Sequence, residues 1–238
     1  MARIVLKDVS LDYLVFHSAS RSIKSTILQS SIGGIIQHKG TSATKITALQ
    51  NINLDLENGS RLALLGHNGA GKTSLLRCLA GIYSPTVGKL STDGKTEILI
   101  DPYSGLNHET TGRQNIYSLG NSRGYSKHYI SQFEQEIIDF SELGEFIDLP
   151  IRTFSAGMVS RLSFSLITHL QPEIMLNDEA IGAGDAEFQK KSAAKFRDYL
   201  KNIDILVLST HSIELAKLYC KTYVKLEKGR IVEKGSFE

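Results

Sequence analysis

The hydrophobic pattern changes along the chain and predicts strands first, then strands alternating with helices. Residues 3–14 (RIVLKDVSLDYL) alternate apolar and polar positions, which is typical of a half-buried strand. The alternation returns at Ala48 (ALQNINLDL), turns at ENGS and leads into the apolar strand Arg61–Leu65. From there to the end, short apolar runs alternate with helical patterns. This order predicts a mostly parallel sheet with helices on both faces.

Three segments differ from this alternation of strand and helix patterns. Residues from about 103 to 165 are rich in helical patterns and predict a helical lobe. The last residues, YVKLEKGRIVEKG, predict two short strands around a Lys-Gly turn. A polar insertion at about 18–45 is rich in Ser and Thr and ends in the loop-like HKGTSAT.

The insertion has two interpretations. Isoleucines and a leucine recur in it at helical spacing, although Gly33 and Gly34 interrupt the pattern. Basic residues outnumber acidic ones over the first 48 positions. The segment is therefore either a solvated insertion on the domain surface or a basic amphipathic helix near a membrane or a partner. The residues with helical spacing are Ile23, Ile27, Leu28, Ile32, Ile35 and Ile36.

Composition restricts the classes of function. The chain has 238 residues, of which 41% are hydrophobic and 22% charged, so it can bury a substantial core. A formal net charge of +2 is too small to indicate nucleic-acid binding. Cys78 and Cys220 lie far apart, which favours reduced thiols over a disulfide framework or a zinc site. The sequence contains no signal peptide and no apolar run of membrane-spanning length, so we expect a soluble chain that reaches a membrane through a partner.

A phosphate-binding loop follows the strand Arg61–Leu65. The segment LALLGHNGAGKTSLLRCLAG contains GxxxxGK[ST], preceded by an apolar strand and followed by a helical pattern. Glycines let consecutive backbone N–H groups curve around an anion, and the N-terminus of the helix adds partial positive charge. Lys72 is positioned for the β- and γ-phosphates, and the Thr73 hydroxyl for Mg²⁺. The predicted nucleotide-binding residues are Gly66, His67, Asn68, Gly69, Ala70, Gly71, Lys72, Thr73 and Ser74.

Two adjacent carboxylates end a later strand pattern. In PEIMLNDEA, three apolar residues lead directly to Asp178 and Glu179. A strand that ends in Asp beside a phosphate-binding loop is where Mg²⁺ coordination is completed, directly or through water. Glu179 is then suited to polarise an attacking water as a general base.

A third motif, TFSAGMVSRLSF, lies about twenty residues before the acidic strand and leads into a helix. With Ser155 and Gly157 in place, it resembles the signature motif of ABC ATPases, usually LSGGQ. Ser155 and the Ala156 and Gly157 N–H groups at a helix N-terminus would form a second anion cradle. The resemblance implies that this cradle faces the γ-phosphate held by a second subunit. It implies the α/β fold of the P-loop NTPase ABC nucleotide-binding domain: a mostly parallel sheet core, an N-terminal antiparallel β subdomain and a helical lobe that carries the signature.

Further positions follow the ABC pattern in order. The segment 182–185 (GAGD) falls where the family's D-loop lies and places Asp185 there, and ILVLSTH ends in His211, which matches the switch histidine at the γ-phosphate. Tyr13 matches the aromatic residue that stacks on adenine, although a core tyrosine of an edge strand is the alternative. The family's Mg²⁺-binding Gln departs from the pattern, because the first Gln after Asp101 is Gln114, well inside the next helical pattern.

The combination of GIYSPTVGKL, GLNHETTGRQNIY and FSAGM resembles the ATPase subunits of bacterial polysaccharide exporters. These move lipid-linked O-antigen, capsule or teichoic-acid chains across the inner membrane. The resemblance implies a peripheral ATPase on the cytoplasmic face of that membrane, with ATP and Mg²⁺ as ligands. It also implies a homodimer and a membrane permease dimer that contacts the lipid-linked polysaccharide. The chain ends soon after the last ABC strand, so we expect a single domain, 1–238, without the C-terminal carbohydrate-binding domain of some members, and no nucleic-acid partner.

Three alternatives of other kinds remain. A soluble ABC ATPase acting on ribosomes or DNA usually pairs two cassettes or carries a long coiled-coil insertion, which this chain lacks. A non-hydrolysing regulatory module is disfavoured because Lys72, Asp178, Glu179 and His211 are all present. An ABC exporter of another lipid or of a drug differs from the preferred interpretation only in its substrate.

Overall fold

The computed structural model describes residues 1–16, 35–39, 43–99, 105–178 and 186–237, which form two compact units. The first unit contains the described residues of 1–98, 173–179 and 204–238, and the second those of 99–172 and 180–203. The strands are β1 (Arg3–Phe16), β2 (Ile35–Lys39), β3 (Ala43–Glu57), β4 (Arg61–Leu65), β5 (Val87–Asp93), β6 (Thr96–Leu99), β7 (Ile174–Asp178), β8 (Ile205–Ser209), β9 (Thr222–Glu227) and β10 (Arg230–Ser236). The α-helices are α1 (Lys72–Leu79), α2 (Gly112–Ser122), α3 (Lys127–Ser131), α4 (Glu134–Ser141), α5 (Ala156–Ile167), α6 (Ala186–Lys201) and α7 (Ile213–Tyr219), with 3₁₀ turns at Gly144–Asp148 and Ile151–Thr153.

The first sheet is the predicted antiparallel β subdomain. Its order is β2-β3-β1-β5, and each neighbouring pair runs antiparallel. Ile4 and Leu6 of β1 are buried, and the buried positions then shift to Val9 and Leu11. The register between β1 and β3 shifts at the same place, between Leu6 and Val9. This bulge adds a residue to one strand, and the side chains that face the core therefore change from even to odd positions.

The second sheet has six strands in the order β10-β9-β4-β8-β7-β6. Strand β4 runs parallel to both β8 and β9, and β7 runs parallel to β8, so the predicted parallel core is confirmed. Strand β10 returns antiparallel to β9 around the predicted Lys-Gly turn. One face of this sheet packs its alternate residues against α1. The core there includes Leu62, Leu64, Ile174, Leu176, Ile205 and Val207 of the strands and Leu75, Leu76 and Leu79 of α1.

The second unit is helical, as the pattern from about 103 to 165 predicts, but it is larger than that range. Helix α5 continues to Ile167, and α6 belongs to the same unit. Helix α6 packs in this unit through two buried aromatic rings. The ring centroids of Phe188 and Phe196 lie 6.2 Å and 6.3 Å from that of Phe164 in α5. Aromatic pairs at this spacing stabilise a core beyond their buried area.

The C-terminal end of the predicted insertion, at about 18–45, contains strands rather than a helix. Ile35 and Ile36 lie in the strand β2 rather than at helical positions, and Thr44 and Lys45 already belong to β3. Strand β2 pairs with β3 from Ile35↔Thr47 to Lys39↔Ala43, since the free edge of β3 offers hydrogen bonds that a surface helix would not. The remaining residues with helical spacing, Ile23 to Ile32, lie outside the described ranges. Among the described helices, none is long and apolar enough to cross a bilayer.

Candidate functional site

The phosphate-binding loop connects β4 to α1 as the motif predicts. Gly66, Gly69 and Gly71 all have positive φ angles, of 151°, 82° and 108°. Such angles are readily available only to glycine, so the spacing of the motif reflects the backbone path of the loop. Gly71 is the N-cap residue of α1, whose free N–H groups therefore begin where the loop ends. The loop and the helix end together make a cradle for an anion.

The turn between β9 and β10 braces the loop, a contact that the sequence pattern did not reveal. The Gly229 N–H donates to the Ala70 carbonyl oxygen at 2.9 Å, and its carbonyl accepts from the Gln50 N–H at 2.8 Å. A Cβ atom built on Gly229 would overlap the Ala48 carbonyl oxygen. Glycine is therefore required at this turn for steric reasons as well as for its φ of 76°.

Gly66 is equally constrained, and its replacement gives a testable result. A Cβ atom there would meet the backbone oxygen of Leu226 at 2.6 Å and the Cβ of Ala70 at 3.0 Å. Gly66→Ala should therefore displace the loop and weaken nucleotide binding. It should also lower the free energy of unfolding by about 1–3 kcal/mol, which a lower melting temperature would show. Gly59→Ala is the matched control, because Gly59 also has positive φ (88°) but no atom lies within 4 Å of the added Cβ. Equal nucleotide affinity in the two variants, measured by calorimetry, would contradict this role of Gly66.

Lys72 lies inside the loop that it is predicted to serve. Only 6% of its surface is exposed. Its Nζ donates to the Gly66 carbonyl oxygen at 2.7 Å and to the His67 carbonyl oxygen at 3.2 Å. These bonds hold the ammonium group against the start of the loop. A buried ammonium with carbonyl partners is a strong, pre-positioned partner for phosphate oxygens.

Thr73 and Asp178 meet across the two predicted halves of the site. The Thr73 hydroxyl donates to Asp178 Oδ2 at 2.5 Å, joining the first turn of α1 to the end of β7. Hydroxyl and carboxylate oxygens suit Mg²⁺, which in phosphate sites usually takes only one or two protein ligands beside phosphates and waters. Within the described ranges, no cluster of three or more His, Cys, Asp or Glu side chains could hold a metal alone. The two oxygen donors therefore fit a cation that is held together with nucleotide phosphates.

Tyr13 is partly buried beside the same helix. Its hydroxyl donates to Ser74 Oγ at 3.2 Å, and its ring packs edge-on against Tyr83 at 5.5 Å between centroids. Burial raises the pKa of Tyr13 above its ordinary value, with the Ser74 hydrogen bond opposing that rise. Arg77 in turn donates a hydrogen bond to the Tyr83 hydroxyl at 3.1 Å. The ring thus lies next to the nucleotide loop while also packing on the core, and its stacking on adenine stays a prediction.

His211 lies beside the start of the loop. It lines a cavity of about 740 Å³ together with Gly66 and His67. The preceding residue, Thr210, donates its N–H to the Leu64 carbonyl oxygen at 3.2 Å, which ties the end of β8 to the end of β4. The structure therefore brings the predicted switch histidine and the loop to one cavity. Its other lining residues are Leu65, Thr210, Ile213, Lys217, Tyr223, Lys225, Glu233, Ser236 and Phe237.

The signature residues lie in the second unit, and their local geometry is the predicted one. Ser155 is the N-cap of α5, and its side chain accepts the Met158 N–H at 3.2 Å. Ser155 and Ala156 are exposed and Gly157 is half-buried. Because the serine oxygen takes the N–H of the third helical residue, the N–H groups of the first two stay directed outwards along the helix axis. A free helix N-terminus of this kind can receive an anion.

Three predicted features of the site lie outside the described residues: Glu179, Asp185 and the stretch Asp101–Ser104 where the family's Gln is missing. Gln114, the first Gln after that stretch, has a structural role. Its side chain accepts the Thr111 N–H, while its own N–H donates to the Thr111 hydroxyl, both at 3.1 Å. This capping box at the start of α2 engages the side chain of Gln114 locally.

Comparison with known proteins agrees with this geometry. The profile of the ABC transporter family matches residues 49–182, more than half of the chain. An O-antigen export system ATP-binding protein, RfbE of Yersinia enterocolitica, is 37% identical over 99% of this chain and 98% of its own length. An O-antigen export system ATP-binding protein, RfbB of Klebsiella pneumoniae, is 34% identical over 99% of this chain and 94% of its own length.

A solved structure supports the fold. The ATP-binding cassette MJ0796, a dimer in a post-hydrolysis state bound to ADP and phosphate, superposes with a TM-score of 0.73. The superposition covers 99% of both chains at 18% sequence identity. Together with the family profile and the full-length relatives, the phosphate-binding loop between β4 and α1 leads to one conclusion: the chain belongs to the ABC transporter family.

Proposed function

We propose that this ABC ATPase drives the export of a lipid-linked polysaccharide of the O-antigen type across the bacterial inner membrane. The observation that carries the proposal is similarity over the full length to two O-antigen export ATP-binding proteins. The intact loop, Lys72 and the Thr73–Asp178 pair supply the machinery that such a subunit needs. An exporter of another lipid or of a drug would use the same machinery. The experiment must therefore distinguish these exporters by the substrate that they transport.

The residues of the first unit divide the work on ATP. Backbone N–H groups of 66–73 and the Lys72 ammonium bind the β- and γ-phosphates. Thr73 and Asp178 would hold Mg²⁺, which neutralises charge that develops on the phosphate oxygens. Glu179 accepts a proton from the attacking water, and His211 orients the γ-phosphate from the side of the shared cavity.

Two copies of the chain are needed to complete the reaction. The helix end at Ser155–Gly157 offers N–H groups to an anion, and we assign it to the γ-phosphate bound by the partner copy. A head-to-tail pair with two-fold symmetry then holds two ATP molecules. Hydrolysis removes the γ-phosphate that both copies contact, and the pair opens. Asp185 is assigned to the family's D-loop from its position in the sequence alone.

The proposed location is the cytoplasmic face of the inner membrane, where the dimer binds a permease dimer. The second unit, which carries the signature helix, transmits opening and closing to the permease. The permease contacts the lipid-linked polymer, and nucleic acid has no part in the proposed cycle.

Deleting the gene in its native host tests the proposal. We expect polysaccharide to be lost from the cell surface and the lipid-linked polymer to accumulate inside the cell. The wild-type gene should restore export, and a gene carrying Lys72→Ala should not. Normal surface polysaccharide in the deletion strain would contradict polysaccharide export. A defect in the transport of another lipid, or in drug resistance, would then identify the substrate class.

A further inference from the structure

A buried hydroxyl beside Asp178 has no assigned role. Ser209, the last residue of β8, is 0% exposed, and its Oγ has no hydrogen-bond partner among the described residues. Two other buried serines have satisfied hydroxyls: Ser141 donates to the Ile138 carbonyl at 2.7 Å, and Ser165 to the Arg161 carbonyl at 2.6 Å. Burying a hydroxyl without a partner is unfavourable, so such groups call for a physical reason.

The alternation of β8 places Ser209 on the same face as α1. Ile205 and Val207 pack into the core that contains Leu75 and Leu79 of that helix. Side chains two positions apart along a strand point to the same face, so Ser209 continues this row. A hydrophobic residue would continue the core at this position, and a serine stands there instead.

The register places Ser209 directly beside Asp178, the carboxylate proposed to hold Mg²⁺. Ser209 pairs with Asp178 of β7 on one side and with Leu64 of β4 on the other. Neighbouring strands lie about 4.8 Å apart, so paired side chains on one face are within hydrogen-bonding reach. Asp178 uses Oδ2 to accept the Thr73 hydroxyl, and a carboxylate has about four acceptor positions on its two oxygens.

We infer that Ser209 is a positioning residue of the Mg²⁺–nucleotide site, an inference that rests on the proposed ATP-dependent function. When nucleotide and Mg²⁺ bind, the Ser209 hydroxyl donates to the Asp178 carboxylate. The carboxylate is then held from two sides, by Thr73 and by Ser209, with its remaining acceptor positions directed to the metal and its waters. Groups that orient a metal-binding carboxylate in this way typically affect metal affinity about 10- to 100-fold.

The test compares nucleotide affinity with and without metal. ADP is titrated into the full chain by calorimetry, first with EDTA and then with Mg²⁺, and the ratio of the two affinities is the metal contribution. We expect Ser209→Ala to reduce that ratio by about 10-fold and to leave the EDTA affinity unchanged. The melting temperature of the nucleotide-free chain should stay the same or rise, because an unsatisfied hydroxyl has been removed.

Two further variants separate positioning from packing. Ser209→Thr keeps the hydroxyl and should retain the wild-type metal contribution. Val207→Ala, two residues earlier on the same face, should lower the melting temperature and leave the metal contribution unchanged. A wild-type ratio in Ser209→Ala overturns the inference, as does a lower melting temperature with an unchanged ratio, which would assign the hydroxyl to packing. If the wild-type chain itself showed no effect of Mg²⁺ on ADP affinity, the proposed nucleotide function would fail first.

Discussion

Replacing Glu179 with Gln is expected to leave ATP binding intact and to slow turnover by about 10²- to 10⁴-fold, the usual contribution of a general base. The amide keeps the size and most hydrogen bonds of the carboxylate but cannot accept a proton from water. Glu179 directly follows Asp178, whose carboxylate holds the Thr73 hydroxyl at the end of β7. Turnover should be measured as phosphate release at saturating ATP, and binding by calorimetry.

The slow variant should also trap the closed dimer, because ATP stays uncleaved between the two copies. Gel filtration with ATP and Mg²⁺ is expected to show a dimer for Glu179→Gln, and a monomer–dimer mixture for the wild type. Glu145→Gln is a suitable control, since Glu145 is exposed on a 3₁₀ turn of the second unit. Wild-type turnover in Glu179→Gln would remove this residue from the catalytic role.

Replacing Lys72 with Ala is expected to lower ATPase activity by about 10²- to 10³-fold, the loss typical of one preorganised charge-stabilising group. The ammonium is held in the loop by the Gly66 and His67 carbonyl oxygens and is 6% exposed. The variant loses both the charge that binds the phosphates and the group that pins the start of the loop. ATP affinity should therefore fall together with turnover, unlike in Glu179→Gln.

The control for that change is Lys221→Ala. Lys221 is exposed, and its backbone N–H, which the substitution keeps, donates to the Arg61 carbonyl oxygen at 2.9 Å. Its replacement removes the same charge from the same unit and should alter neither affinity nor rate. Circular dichroism of both variants separates loss of function from loss of fold. If Lys72→Ala bound ATP as tightly as the control, the assignment of the loop would be wrong.

Local patterns were sufficient to predict the central features of both units. The GxxxxGK[ST] spacing requires a strand, a loop rich in positive φ angles and a helix, and Gly66, Gly69 and Gly71 adopt those angles. The Ser155 N-cap followed from a serine and two small residues ahead of an amphipathic run. In each case the structural cause lies within a few residues of chain, so a short window contains the signal.

Features that depend on distant contacts were not predicted. Strand β2 forms because the edge of β3 is available, although the isoleucines of that segment have helical spacing. Helix α6 joins the second unit through Phe188 and Phe196, whose partner Phe164 lies more than twenty residues earlier. The bracing of the loop by Gly229 links positions 48, 70 and 229, and no local pattern encodes it.

Ser209 illustrates the same limit at the candidate site. In the sequence it is one polar residue at the end of an apolar run, next to Thr210 and His211. Only the parallel register of β7 and β8 places it opposite Asp178. A polar residue at the end of a buried strand is the one signal that could have drawn attention to it.

The most direct test of the account is the ATPase activity of the chain purified together with the membrane protein encoded beside it. The ATPase activity of the complex is measured in lipid nanodiscs, with and without lipid-linked glycan from the native host. The complex that carries Glu179→Gln gives the background activity. We predict that glycan stimulates the wild-type complex and leaves the background unchanged. ATPase activity that is strong but indifferent to glycan, or stimulated equally by an unrelated lipid, would contradict polysaccharide export while leaving the chain an ABC ATPase.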